Sequence, residues 1–434
     1  MKINNWINRD IVCSCGRTHR CDIAGLRIGS GALEALGEVT EEYRHILVVS
    51  DRNTAPLAEA RVRAILGDKV EKSFIFDCED LLVPDEESIV ALEENVTKKT
   101  DLILGIGSGV INDLCKYVSF LHGIESGIVA TATSMDGYAS SGAAMIQKGM
   151  KVTHTTHAPT IIIGDVDILK DAPMDMIRSG YADIIGKYSA LCDWKLSALV
   201  NGEYLCQDVY DLVKEETDSI RACAKQIVER DPAAIGKLME VLVLIGACLT
   251  LVCTTRPGSG SEHHLSHYFE ITGLIDDKPY FLHGTDVGYA TVVTAGLREE
   301  ICKVASPVFR TVSDESRKKV YQKIYGPHWQ EVWELQAEAG RYKKEETTRA
   351  FYAAHWEEIR AILSECPTKK EIEDMLVEVG FDLSLFEKMY GKKKIQNAVW
   401  VAKDLKDRYS VLWLYDAMFF GEEEAGVAYE TGNL

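Results

Sequence analysis

Two patterns of apolar and polar positions divide the chain. In the first third, HILVVSD (45–51), KSFIFD (72–77), LILGIG (102–107) and GIVATA (127–132) are apolar runs of strand length. Between them the period turns helical: in DEESIVALEENVTKK, Ile89, Leu92 and Val96 keep an i, i+3, i+7 stripe. Strands alternating with helices predict a parallel sheet covered on both faces. THAPTIIIGDVDILKDAP closes this region, with Pro173 placed to start a helix. Beyond it the pattern is almost wholly helical, through MIRSGYADIIGKYSALCDWKLSALV, DPAAIGKLMEVLVLIGACLTLVC, HWEEIRAILSE and KKKIQNAVWVAKDLKDRYSVLWLYDAM. The expectation is an α/β domain over residues 1–170 followed by an all-helical domain over 171–434.

Composition adds limits. A chain of 434 residues accommodates two domains, and 46% hydrophobic with 26% charged residues is globular rather than disordered. The formal net charge of −19 repels nucleic acid and anionic membrane, so neither is expected as a partner. An anionic substrate must then be held by local donors. MKINNWINRD has no apolar core and does not read as a secretory signal. The run VLVLIGACLTLVC is shorter than the about 20 residues a bilayer requires, and predicts a buried helix. Twelve irregularly spaced cysteines point to a reducing, cytoplasmic setting rather than a disulfide framework. The long apolar helices suit a homodimer.

The candidate chemistry lies in loops and one helix. GIGSGVIND (105–113) follows a strand and opens a helix, where bare backbone and a helix N-terminus can receive phosphate. It is not G-x-G-x-x-G, since Val110 stands at the third glycine position, and a plain tight turn fits equally. TATSMDGYASSGAA (131–144) is small and hydroxylated, suited to a flat ligand across strand ends. Its Asp136 either bonds a ligand hydroxyl or caps the element that follows. Asp51 either accepts from a ribose or starts a turn.

In SGSEHHLSHYFE, helical geometry puts His263 and His267 on one face, with His264 about 100° away. The order is not H-E-x-x-H, so the zinc-peptidase pattern fails. His283 precedes a glycine and a new helix, and Asp183 is an acid among apolar and small residues. An acid there is costly unless partnered. Two histidines and a carboxylate from separate segments would leave positions open for substrate; polar residues satisfied between helices are the alternative. In CSCGRTHRC, Cys13, Cys15, His19 and Cys21 are in principle four zinc ligands, more tightly spaced than usual, or else an inert turn.

Taken together, GSGVINDLCKY, TATSMDGYASSGAAM, SGYADIIGKYSALCDWKLS, SGSEHHLSHYFE and LHGTDVGYAT make the chain resemble the sn-glycerol-1-phosphate dehydrogenase family. That family stands with the iron-containing alcohol dehydrogenases, glycerol dehydrogenase and dehydroquinate synthase. The resemblance covers residues 22–430, and DRYSVLWLYDAM is similar to the tail of the bacterial branch. It implies a Rossmann-like nucleotide-binding domain and an all-α, dehydroquinate synthase-like domain. It assigns Gly109, Val110, Ile111, Asn112 and Asp113 to the pyrophosphate of NAD or NADP, with Thr131, Ala132, Thr133, Ser134 and Ser140 also on the cofactor. By the same resemblance Asp183, His263 and His283 hold one divalent metal ion (zinc, nickel or iron). Asp136, Asp183 and His267 contact a small phosphorylated triose or polyol and act in catalysis. Lys151 and Lys187 are candidate phosphate donors, or else solvated surface lysines. The implied reaction interconverts dihydroxyacetone phosphate and sn-glycerol 1-phosphate. Rival readings are a polyol or other alcohol dehydrogenase of the same fold, a dehydroquinate-synthase-like lyase, and a non-catalytic metal- or nucleotide-binding protein.

Overall fold

A computed structural model describes residues 2–78, 82–147, 150–276, 278–338 and 345–421. The chain forms two compact units, Met1–Ile184 with Cys206–Gly258, and Ile185–Leu205 with Ser259–Leu434. The sequence pattern set a single cut near residue 170, whereas each unit draws on two stretches of chain.

The first unit opens with a small antiparallel pair, β1 (Ile11–Val12) and β2 (Thr18–His19). Its centre is a six-stranded sheet built from β3 (Gly25–Gly29), β4 (Ile46–Asp51), β5 (Val70–Phe76), β6 (Leu102–Gly107) and β7 (Glu125–Ala130). A hairpin of β8 (Gly142–Gln147) and β9 (Met150–Thr155) precedes the sixth sheet strand, β10 (Ile161–Asp165). The sheet order is β3-β10-β7-β6-β4-β5, and every pairing is parallel. Interior strands β6 and β10 are buried at every residue, which is why they read as unbroken apolar runs rather than as alternation. Val48, Leu104, Ile106, Val129 and Ile163 pack there with Val62 of the helix Ala55–Leu66.

One predicted helix is shorter than expected. It ends at Glu93, where Asn95 turns its side-chain amide back to the Ala91 carbonyl (2.7 Å), so Val96 falls outside the stripe. The apolar run 241–253 belongs to a longer helix, Pro232–Val252, whose N-terminus is capped by the Asp231 side chain. Its 21 residues and mean hydropathy of 2.1 match a bilayer span by length and composition. Yet 78% of that apolar window is buried inside the protein, as in a core helix. This helix packs on β3, on the turn Gly137–Ala139 and on the helices Val166–Leu169 and Gln207–Arg221. Those contacts, not sequence position, put it in the first unit.

The second unit is helical. Cys192 and Leu196 of helix Lys187–Asn201 share a core with Ile301, Trp356, Ile359 and Leu414. The fully buried Asp193 accepts from the Ser261 amide (2.6 Å) and the Val411 amide (2.7 Å). One carboxylate thereby holds the N-termini of two helices, Ser261–Asp276 and Val411–Phe419, and places the histidine helix.

Candidate functional site

In the first unit, the site is built at the C-terminal ends of β6 and β7. Gly107 ends β6 because the helix Gly109–His122 starts at once and folds Ile111 back over it. An added Cβ on Gly107 would sit 2.6 Å from an Ile111 side-chain carbon. The close turn leaves the backbone of 109–113 at a helix N-terminus, the arrangement that receives anionic groups. Within this run Asp113 is already engaged: it accepts from the Ala144 amide (3.1 Å) and pairs with Lys116 (2.8 Å).

Lys116 is fully buried, a feature the sequence reading did not single out. Its ammonium donates to the carbonyls of Gly137 (3.2 Å), Ser140 (3.4 Å) and Gly142, pinning the loop 131–142 to the helix. The loop is fixed from other sides too. The Thr131 amide donates to Gly107 O (2.9 Å), Tyr138 Oη to Ala132 O (2.6 Å), and Ser179 Oγ to Ser134 O (3.0 Å). Two glycines let helices press against its backbone. A Cβ on Gly180 would overlap the Thr133 carbonyl oxygen, and one on Gly246 would lie 2.7 Å from Asp136 O. Thr133, Ser134, Asp136 and Ser140 are consequently buried.

Asp136 does not cap the element after it. That element is a three-residue 3-10 turn, and its side chain makes no capping bond there. Its amide donates instead to Asp183 Oδ2 (3.0 Å), so two of the residues singled out in sequence meet in this unit. Asp183 is fully buried in the helix Met174–Ile185. Asp51 starts a turn: its Oδ1 accepts from the amides of Asn53 and Thr54, both at 2.8 Å.

The second unit gathers the histidines. His263 and His267 lie on one face of Ser261–Asp276 with ring centroids 6.2 Å apart, as the spacing predicts. His283, at the start of helix His283–Cys302, brings its ring to 5.1 Å from His263 and 5.5 Å from His267. His264 is fully buried and is not among these ring contacts. His263 Nδ1–H donates to Glu262 Oε1 (2.7 Å), which also accepts from the Gly260 amide (2.7 Å). That leaves Nε2 with the lone pair a metal needs. Burial first, then the nearby Lys187, pushes the His263 imidazole well below its ordinary pKa and keeps it neutral. Burial raises Glu262 to about 7, and the neighbouring Asp193 adds to that. His283 Nδ1 lies 3.3 Å from Glu270 Oε1, and among the described residues of this unit His267, Glu270 and His283 can offer ligand atoms within 4.8 Å of one another.

Glu262 and Glu270 were not identified from sequence. Their only signal is adjacency: one precedes His263, the other lies three residues after His267. Of the two lysines, Lys187 is fully buried in the second unit, not solvated, because it begins a helix whose every early residue is interior. Lys151 is half-buried on β9. The tight N-terminal cluster differs from its expected membership. Cys13, Cys15 and His19 come together with Cys206, while Cys21 is buried elsewhere in the core.

The iron-containing alcohol dehydrogenase family model matches residues 27–173. The chain is 34% identical over 299 residues to glycerol-1-phosphate dehydrogenase [NAD(P)+] of Halalkalibacterium halodurans, covering 66% of this chain and 73% of that one. A namesake from Geobacillus stearothermophilus is 27% identical over 427 residues, or 94% and 96% of the two chains. Among solved structures, sulfoacetaldehyde reductase from Bifidobacterium kashiwanohense, crystallised with NAD+, superposes with a TM-score of 0.59 at 14% identity. The superposition covers 95% of this chain and 98% of the other, a likeness of fold.

Proposed function

Because the chain belongs to the glycerol-1-phosphate dehydrogenase family, among the iron-containing alcohol dehydrogenases, we propose that it interconverts dihydroxyacetone phosphate and sn-glycerol 1-phosphate with NAD(P)(H). The observation in its own geometry that supports this best is the histidine group, whose three ring centroids lie 5.1–6.2 Å from one another, with His263 Nδ1 bonded to Glu262. That donor chemistry fits a divalent ion, and Asp183, His263 and His283 would hold it. When bound, such an ion supplies Lewis acidity to the substrate's C2 oxygen, and the nicotinamide supplies the hydride.

The chain's own residues do the rest. The backbone of 109–113 receives the dinucleotide's pyrophosphate, and the loop 131–140 lies against the remainder of the cofactor. That loop is held by buried bonds from several sides, so it needs no ordering when ligand arrives. Asp136, buried and tied through its amide to Asp183, orients the substrate hydroxyls. His267 binds a hydroxyl and relays its proton, since its ring lies in the histidine group without being needed as a ligand.

The substrate class is tested by following NAD(P)H oxidation with dihydroxyacetone phosphate and with dihydroxyacetone side by side. The proposal expects turnover of the phosphate at far lower concentration than the triose. Turnover of the unphosphorylated triose alone would make this a polyol dehydrogenase on the same scaffold.

A further inference from the structure

The N-terminal cluster lies outside the proposed catalytic chemistry and has a donor set of its own. The turn between β1 and β2 is tight. The Gly16 amide donates to Cys13 O and the Cys13 amide to Arg17 O, both at 3.1 Å, and Gly16 takes a positive φ of 82° that allows the reversal. This turn presents Cys13 and Cys15, β2 presents His19, and Cys206 arrives from the residue that precedes helix Gln207–Arg221. One ligand atom from each of the four lies within 4.8 Å of all the others. The sulfurs of Cys13 and Cys206 are 3.3 Å apart, Cys15 Sγ is 3.3 Å from His19 Nε2, and Cys206 Sγ is 3.5 Å from the same nitrogen. A tetrahedral zinc ion, with Zn–S about 2.3 Å and Zn–N about 2.0 Å, sets its ligand atoms about 3.5–3.8 Å apart. The cluster is already near that size.

Two further observations point to a ligand. His19 is buried, and its Nδ1–H donates to the Leu251 carbonyl (2.7 Å), so Nε2 faces the three sulfurs with its lone pair. The Cys15 amide points at Cys13 Sγ (3.4 Å), and Cys206 sits at the positive end of a 15-residue helix. The Asp208 carboxylate accepts from Cys13 Sγ (3.2 Å). It is on the solvent side and is also held by Ser14 Oγ (3.1 Å). A Cys13–Cys206 disulfide would need its sulfurs about 2.05 Å apart and would leave Cys15 and the directed His19 nitrogen without a reason.

We propose that Cys13, Cys15, His19 and Cys206 bind a structural zinc ion. Four protein ligands close the coordination shell, so the site has no open position for substrate. Its work is mechanical. β1 and β2 are two residues each, far too little to hold a hairpin by themselves. The ion ties that hairpin to the start of helix Gln207–Arg221, while His19 anchors it to the end of helix Pro232–Val252.

Cobalt substitution reads this site apart from the catalytic one. A cobalt ion bound by three thiolates has a sulfur-to-cobalt charge-transfer band in the near ultraviolet, and the Asp183, His263 and His283 set contains no sulfur. Protein purified under reducing conditions and reconstituted with cobalt should show the band. It should persist in His263→Ala and Cys21→Ser and be lost or strongly weakened in Cys206→Ser and Cys15→Ser. Cys15 is only half-buried, so Cys15→Ser decides the matter if Cys206→Ser does not fold. A wild-type protein with reduced thiols and no such band would overturn the proposal. So would a band at full strength in Cys15→Ser, or a Cys13–Cys206 disulfide found by mass spectrometry in protein kept reduced.

Discussion

His263 and His267 share a helix face and proximity, yet the account gives them separate duties, and single substitutions separate them. His263→Ala should abolish both bound metal at the catalytic centre and turnover, measured by metal analysis alongside rate. His267→Ala should keep the metal and lose substrate use; a variant that lost its metal would refute the division. On this account Glu262 acts through His263 by holding Nδ1, as a positioning residue. Glu262→Gln should weaken metal binding by about 10- to 100-fold in a chelator-competition titration. Unchanged affinity would show that the imidazole is oriented without it. At this scale the i, i+4 pair was legible in the sequence, because helical spacing alone fixes a common face. Glu262 was not, because its value depends on which carboxylate oxygen meets which ring nitrogen. Cys206 was not either, since its partners are almost two hundred residues away and local spacing favoured Cys21.

Among elements, the loop 131–142 matters most, and its shape is set by what presses on it. Lys116 replaces a solvated ammonium with three backbone carbonyls and the Asp113 carboxylate. Lys116→Met keeps the length of the side chain and deletes the donor. It should cost about 3–5 kcal/mol in urea denaturation, the range for breaking a buried ion pair from one side. A loss below about 1 kcal/mol would mean that water takes over the carbonyls. Gly180→Ala places a methyl on the Thr133 carbonyl and should push the loop outward. Weaker NAD(P)H binding with the helical circular dichroism retained is the expected result; unaltered binding would show that the loop has room to give. The strands were readable as short apolar runs, and the glycine turn as the run LILGIG passing straight into SGVIND. The buried lysine was not, because a lone lysine in an amphipathic helix is ordinarily solvated.

The whole molecule divides its labour between an α/β unit carrying the glycine turn, the 131–140 loop and Asp183, and a helical unit carrying the histidines. The alternation of strand and helix gave away the first architecture, and unbroken helical period the second. The membership of helix Pro232–Val252 could not be read that way, since an apolar helix announces burial but not its partner. The long apolar helices also suggested a homodimer. Light scattering should return twice the 48.3 kDa chain mass, and a single chain mass would end that expectation. The central claim is a metal-dependent reduction that sets one stereocentre. The measurement that tests it most directly is the configuration of the phosphate product formed from dihydroxyacetone phosphate and NAD(P)H, before and after chelation and metal reconstitution. The account predicts a product that appears only with metal and that a dehydrogenase specific for sn-glycerol 3-phosphate does not oxidise. A product which that enzyme consumes, or one formed equally well after chelation, would contradict it.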